Sequence, residues 1–262
     1  MTEIAFLSAK GSPGVTTTVC ALGAVWSDER EPVVVECDPF GGDVAVRFGL
    51  RPEPGLTTFV LGMRHGAEQR KLEDHFQRLP GGLSVILGAV GSDVCAATDR
   101  ELAGVELDSF PDVDLLWDCG RFDGSAAGAL RVITKADLAV LVGSPGPGTV
   151  AHGRSVVRQL EGLPGFDPSR LGFLVVGEGE FTDSEMAESL ELDGLGRLPW
   201  DSRAASVIGG NSAPPRTLAR SALIAEARTV ATVLKKRAQR TDITALGVTE
   251  QTNGEGVLVD AG

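Results

Sequence analysis

Apolar residues in this chain fall into short runs with little polar alternation, separated by stretches of helical spacing. Ile4–Leu7, Val33–Glu36, Leu83–Leu87, Val113–Trp117, Leu138–Val142 and Leu171–Val176 read as strands buried on both faces. Between them, Asp43–Phe48, Gln69–Leu79, Ser125–Ile133, Val150–Leu160 and Thr217–Arg237 carry helical patterns, and clusters such as Pro80-Gly81-Gly82 punctuate the gaps. This alternation predicts an α/β fold of three layers, a mostly parallel doubly wound sheet with helices on both faces. Ligands of such sheets gather at the carboxyl ends of strands, so the loops after Leu7, Glu36, Trp117 and Val142 are where chemistry is expected.

Near Ala238 the periodicity stops, and the polar stretch that follows predicts one domain over residues 1–237 and a disordered tail over 238–262. Val257-Leu258-Val259 is the tail's one apolar run. No apolar stretch approaches the roughly 18 residues of a membrane span, and the chain opens Met-Thr-Glu directly before a strand, which predicts a cytoplasmic protein that is not integral to a membrane. Cys20, Cys37, Cys95 and Cys119 lack CxxC spacing and read as free thiols of a reducing compartment. A formal charge of −12 argues against a surface that attracts nucleic acid as a whole, while leaving room for a local basic patch.

The sharpest motif is Lys10-Gly11-Ser12-Pro13-Gly14-Val15-Thr16-Thr17, a glycine-containing turn between a strand and a helix start. Main-chain N–H groups of such a loop cradle phosphate, and the threonine after the turn supplies a hydroxyl to magnesium. At the next strand end, Glu36-Cys37-Asp38-Pro39 presents two carboxylates able to orient water or a metal's water shell. A third strand ends in Asp118-Cys119-Gly120, the Walker B arrangement, with Asp118 placed for the metal and the Gly120 N–H for the terminal phosphate. Each piece alone is commonplace, since acids after strands are frequent helix caps. All three in order on strand ends are specific for a P-loop fold.

With these residues in place, the chain resembles the ParA/MinD family of P-loop ATPases. The family's deviant Walker A loop, Lys-Gly-Gly-x-Gly-Lys-Thr-Thr, is matched at Lys10, Gly11, Gly14, Thr16 and Thr17. Val33 to Leu50 resembles its second motif, with Asp38-Pro39 after the strand, and Ala136-Asp137-Leu138 to Gly143 and Leu198-Pro199-Trp200-Asp201 resemble later landmarks, so that the similarity spans residues 1 to 237. It implies ATP and Mg²⁺ as cofactors and a nucleotide-sandwich homodimer working with a protein partner. In that scheme Lys10 reaches the partner subunit's phosphates, Asp38 positions the attacking water, and Thr16 and Asp118 serve the metal. Gly11, Ser12, Gly14, Val15, Thr16, Thr17 and Gly120 line the nucleotide. Glu36 stands for the family's first aspartate.

Three departures qualify that picture. Val15 occupies the place of the phosphate-binding lysine, whose charge-assisted hydrogen bonds are worth about 1.5–3 kcal/mol each, so efficient hydrolysis is not expected. Ser12-Pro13 narrows the loop, and Gly177-Glu178 stands where the family carries a base-recognising asparagine. Lys10 or Arg121 is a conceivable substitute cation. Cys95 and Cys119 invite comparison with the iron-sulfur branch of the fold, but Cys119 directly follows Asp118, which is not that branch's spacing.

Residues 216–240 carry seven Lys or Arg against the single acid Glu226, and on one continuous helix Arg220, Arg228 and Lys235 form a basic stripe. This reads either as the solvated face of a closing helix or as a contact for DNA phosphates. The functional expectation is a positioning or scaffold protein with a degenerate nucleotide site, in chromosome partition, division-site placement or pilus assembly. A slight likeness to the CpaE/TadZ branch rests on Gly55-Leu56 and Gly82-Leu83. A slow ATPase working as a nucleotide-switched dimer and a nonspecific DNA binder are the alternatives.

Overall fold

The computed structural model describes residues 1–26, 30–64, 71–106, 112–211 and 216–245. The strands are β1 (Glu3–Ser8), β2 (Glu31–Glu36), β3 (Gln77–Arg78), β4 (Ser84–Ile86), β5 (Val113–Arg121), β6 (Leu138–Gly143), β7 (Leu171–Val176) and β8 (Asp193–Leu198). They form one eight-stranded sheet in the order β3-β4-β2-β5-β1-β6-β7-β8. Every pairing is parallel except β3 with β4. Chain leaving β1 travels to the β2 side and chain leaving β6 to the β7 side, so the crevice of the doubly wound sheet opens beside β1.

Alternation within the strands divides the core into two layers. Ile4 and Phe6 of β1 face α1 (Val15–Gly23), α2 (Val44–Phe48), α8 (Ser202–Ile208) and α10 (Ala222–Ala245), where they meet Val19, Val44, Ala204 and Leu234. Ala5 and Leu7 face the opposite layer, built from α3 (Leu56–Arg64), α4 (Ser92–Ala103), α5 (Ala127–Lys135), α6 (Pro147–Glu161) and α7 (Asp183–Leu190). A strand covered on both sides has no use for polar residues, which is why the apolar runs were continuous. A short α9 (Arg216–Ala219) precedes α10.

At the amino end of the sheet, buried Asp114 of β5 accepts from the Thr2 N–H and from Trp26 Nε1, both at 2.9 Å, and stands 3.6 Å from Arg30. That network ties the end of α1 to β1 and β5. Among the described residues no helix is long and apolar enough to cross a membrane.

Several expectations change. The described part of 69–79 is a 3₁₀ turn at Leu72–Asp74 followed by strand β3, because Gln77 and Arg78 pair with Val85 and Ser84 rather than continuing a helix. Thr217–Arg237 is not one helix: the chain turns at Arg220 and Ser221 before α10. α10 then runs to Ala245, past the expected tail boundary at 238, since Ala238 is still buried against the core. Val257-Leu258-Val259 lies outside the described residues. β5 extends through Asp118 to Arg121, so the candidate metal acid sits within the strand and not after it.

Candidate phosphate-binding site

β1 delivers the chain into the loop 9–14, where Ser12 at φ 52° and Gly14 at φ 92° adopt left-handed conformations around buried Pro13. A left-handed residue bearing a side chain is strained by about 1 kcal/mol, so Ser12 is held there by its surroundings. Gly14 precedes α1 and has no side chain with which to cap it, while the Thr18 N–H closes the first turn on the Gly14 carbonyl at 2.8 Å. The N–H groups of Val15, Thr16 and Thr17 thus have no acceptor within the helix, and no acid occupies that turn. This end of α1 favours an anion.

The Val15 side chain belongs to the core. It is 6% exposed and belongs to the layer containing Ile4, Phe6 and Val19. Thr16 and Thr17 are half-buried, and the Thr16 hydroxyl bonds the Asp118 carboxylate.

Three acids crowd the carboxyl ends of β2 and β5. Burial pushes the Asp118 carboxyl up to about 7, with the Glu36 and Asp38 charges adding to the rise and bonds from Thr16 and the Gly120 N–H (3.0 Å) opposing it. Glu36 is also pushed upward by burial, but its carboxylate is enclosed by main chain: Oε1 accepts from Asp43 N (2.7 Å) and Val44 N (3.0 Å), and Oε2 from Gly88 N (2.9 Å). It therefore starts α2 and anchors the loop after β4, which leaves it little capacity to activate water. Asp38 is the accessible member. Burial and the Asp43 charge raise its pKa, the Phe40 N–H (2.8 Å) and Arg121 lower it, and its side chain packs directly against the Cα of Gly120. Gly120 has φ 59°, and a Cβ there would overlap the Asp38 carboxylate.

Gly11–Thr17, Ser8, Asp38, Phe40, Asp43, Arg47, Gly120 and Arg121 together line a cleft of about 390 Å³. Three sequence-expected residues do not line it: Lys10 is exposed and lines the neighbouring cleft, Glu36 is enclosed by main chain, and Asp118 is reached through Thr16. Thr16 and Asp118 offer a hard divalent cation oxygen ligands, and the Glu36 and Asp38 charges that help raise Asp118 are what such a cation would offset. Among the described residues no cluster of His, Cys, Asp or Glu forms a self-sufficient metal cage, and Mg²⁺ completed by water and phosphate needs none. The cysteines do not assemble an iron-sulfur ligand set: Cys37 and Cys119 pair at 3.6 Å, and Cys95 donates to the Ala89 carbonyl. Arg47 is a lining residue that pattern reading missed. A base four residues after Asp43, on the helix following Asp38-Pro39, was the available signal.

A second cleft of about 420 Å³ lies on the other flank of the loop, lined by Lys10, Gly11, Ser12, Pro13, the β6–α6 loop and Trp200. Trp200 is 67% exposed and rests over Gly177, where Arg197 binds the Gly177 and Phe181 carbonyls (2.6 and 3.0 Å) and Asp183 (2.6 Å). Asp201 next to Trp200 caps α8 through Ala204 N (2.9 Å) and accepts from the Ser221 hydroxyl (2.9 Å).

The expected stripe does not lie on one continuous helix. Arg220 sits in the turn before α10, Arg228 is exposed on α10, and the Lys235 ammonium lies 4.7 Å above the Trp26 ring.

No protein-family model and no curated protein matches the sequence. Solved structures do match the fold. A ParA family ATPase from Chlorobium tepidum TLS superposes with a TM-score of 0.68 at 15% identity, over 88% of this chain and 97% of that one. The septum site-determining protein MinD from Pyrococcus horikoshii OT3, complexed with Mg-ADP, gives 0.63 at 20% identity, over 93% and 97%. MinD in the MinC:MinD cell division complex of Aquifex aeolicus gives 0.58 at 16%, over 98% and 100%. The chain has the α/β fold of the ParA/MinD ATPases.

Proposed function

We propose that this chain is a ParA/MinD-like positioning or scaffold protein of the cytoplasm whose nucleotide site has lost efficient hydrolysis. It works as a homodimer that engages a protein partner in chromosome partition, division-site placement or pilus assembly. One observation carries the reading: Val15 is folded into the core at the lysine position while Thr16, Asp38, Asp118 and Gly120 stay together around the loop. A site kept in shape but stripped of its charge suits a protein whose shape matters more than its turnover. Support for nucleotide and partner comes from the similar structures, one a Mg-ADP complex and one a complex with MinC. Lys10, exposed beside the loop, is the residue that would cross to the second copy.

Two measurements test it. Mg-ATP turnover by the wild type is expected at background, with Val15→Lys raising it at least tenfold; steady turnover by the wild type favours the slow-ATPase reading instead. A fluorescent fusion in the native cell is expected to form foci or a polar pattern, and an even distribution sinks the positioning role. DNA contact through Arg220, Arg228 and Lys235 is the lesser reading, because Lys235 is engaged with Trp26 and Arg220 lies off the helix.

A further inference from the structure

Val15 leaves the loop without a cation of its own, yet two arginines open into the same cleft. Arg47 on α2 and Arg121 at the end of β5 are the cations among the described residues that line it, whereas Lys10 lines the neighbouring cleft. Neither is committed to a strong partner. Arg47 Nη2 meets Asp43 Oδ2 at 3.1 Å in an exposed pair one helical turn long, and the Arg121 guanidinium lies 4.5 Å from the centre of the exposed Phe40 ring. Contacts of both kinds are weak in water, so either guanidinium can turn to an anion without releasing anything that holds the fold. Their backbones are firmly placed, Arg47 by the Glu36 bonds that start α2 and Arg121 by the register of β5 against β1.

We propose that Arg47 and Arg121 together replace the missing lysine, so that the cleft binds the di- or triphosphate chain of a magnesium nucleotide through guanidinium contacts. This rests on reading the cleft as a nucleotide site, and it adds which residues hold the ligand and by which part. Guanidinium forks chelate non-bridging phosphate oxygens in pairs. Asp38 and Asp43 share the rim with the two arginines, leaving the lining near neutral, so binding depends on Mg²⁺ for its surplus positive charge.

Calorimetric titration of the full-length protein with Mg-ATP, Mg-ADP and Mg-tripolyphosphate tests this. Arg47→Gln and Arg121→Gln are each expected to weaken Mg-ATP at least tenfold and the double variant at least a hundredfold. The double Arg→Lys variant should keep most of the affinity, chelation of Mg²⁺ should abolish it, and tripolyphosphate should compete with ATP. Arg100→Gln, a surface arginine on α4, is the unchanged control. Both tested arginines lie on the surface, so their loss leaves the protein folded, as thermal unfolding would verify. Unchanged affinity in the double variant, or no competition by tripolyphosphate, overturns the clamp and leaves the nucleotide-site reading standing. Binding absent in the wild type but gained by Val15→Lys does the same. Binding absent in the wild type and in a folded Val15→Lys overturns the site reading, and the clamp with it.

Discussion

The two buried acids of β5, Asp114 near its amino end and Asp118 near its carboxyl end, are treated differently. At the amino end, Asp114 is surrounded by donors and by Arg30, each group matched to a partner from α1, β1 or the loop before β2. At the carboxyl end, burial raises Asp118, Glu36 and Asp38 alike, the Glu36 and Asp38 charges add to the rise at Asp118 and the Asp43 charge to that at Glu36 and Asp38, with Arg121 opposing it at Asp38. Balanced burial is architecture, because each donor satisfies a charge whose desolvation would otherwise be costly. Unbalanced burial leaves a cost that a bound cation would offset.

Gly120→Ala attacks the carboxyl end most severely. Its Cβ would overlap the Asp38 carboxylate in a left-handed backbone conformation, so a loss of about 3 kcal/mol or more is expected in denaturant unfolding, together with loss of nucleotide binding. Asp114→Ala breaks the amino end: the buried Trp26 indole N–H and the Thr2 N–H lose their acceptor, at a cost of about 2–3 kcal/mol. That loss should be the same with and without Mg²⁺, and a Mg²⁺-dependent loss would erase the distinction between the ends.

Asp118→Asn should act in the opposite direction. The folded carboxyl titrates near 7 and an unfolded one near 3.9, so between those values the folded state binds a proton that the unfolded state does not. Wild-type stability from this group therefore falls as pH rises through that window, and the penalty is complete above about pH 7. Removing the charge should stabilise the ligand-free protein by about 1–2 kcal/mol at pH 8, with the gain shrinking toward pH 5. Added Mg²⁺ and nucleotide should stabilise the wild type but not this variant. A variant less stable than wild type at pH 8 would mean the acid is already balanced.

The fold was legible because two-sided burial writes unbroken apolar runs, and six of the eight strands announce themselves that way. β8 was missed since Asp193-Gly194-Leu195-Gly196-Arg197 carries edge-strand polarity and glycines, and β3 since two residues leave no period to detect. The helix α4 was hidden by its partly exposed, mixed face, and the break before α10 by a Ser221 that looks like any polar helix residue until its hydroxyl meets Asp201. At the site, loop and acids were readable from their order on strand ends. The role of Glu36 was not, because a carboxylate turned onto its own neighbours' N–H groups looks in sequence like one offered to a ligand. Likewise, the sequence shows Val15 only as a valine in the loop, and packing reveals that its side chain joins the core.

The sealing of Glu36 also has a mechanical side. α2 is five residues, about 7.5 Å of helix. One end is fastened through Glu36 to β2 and, by the same carboxylate, to Gly88 after β4. At the other end the Arg47 carbonyl abuts Gly210, just beyond α8, too closely to admit a Cβ. A beam clamped at both ends does not bend under a load applied along it; it transmits. Any pull on the Arg47 side chain is therefore delivered at two places, buried Gly88 after β4 and half-buried Gly210 beyond α8.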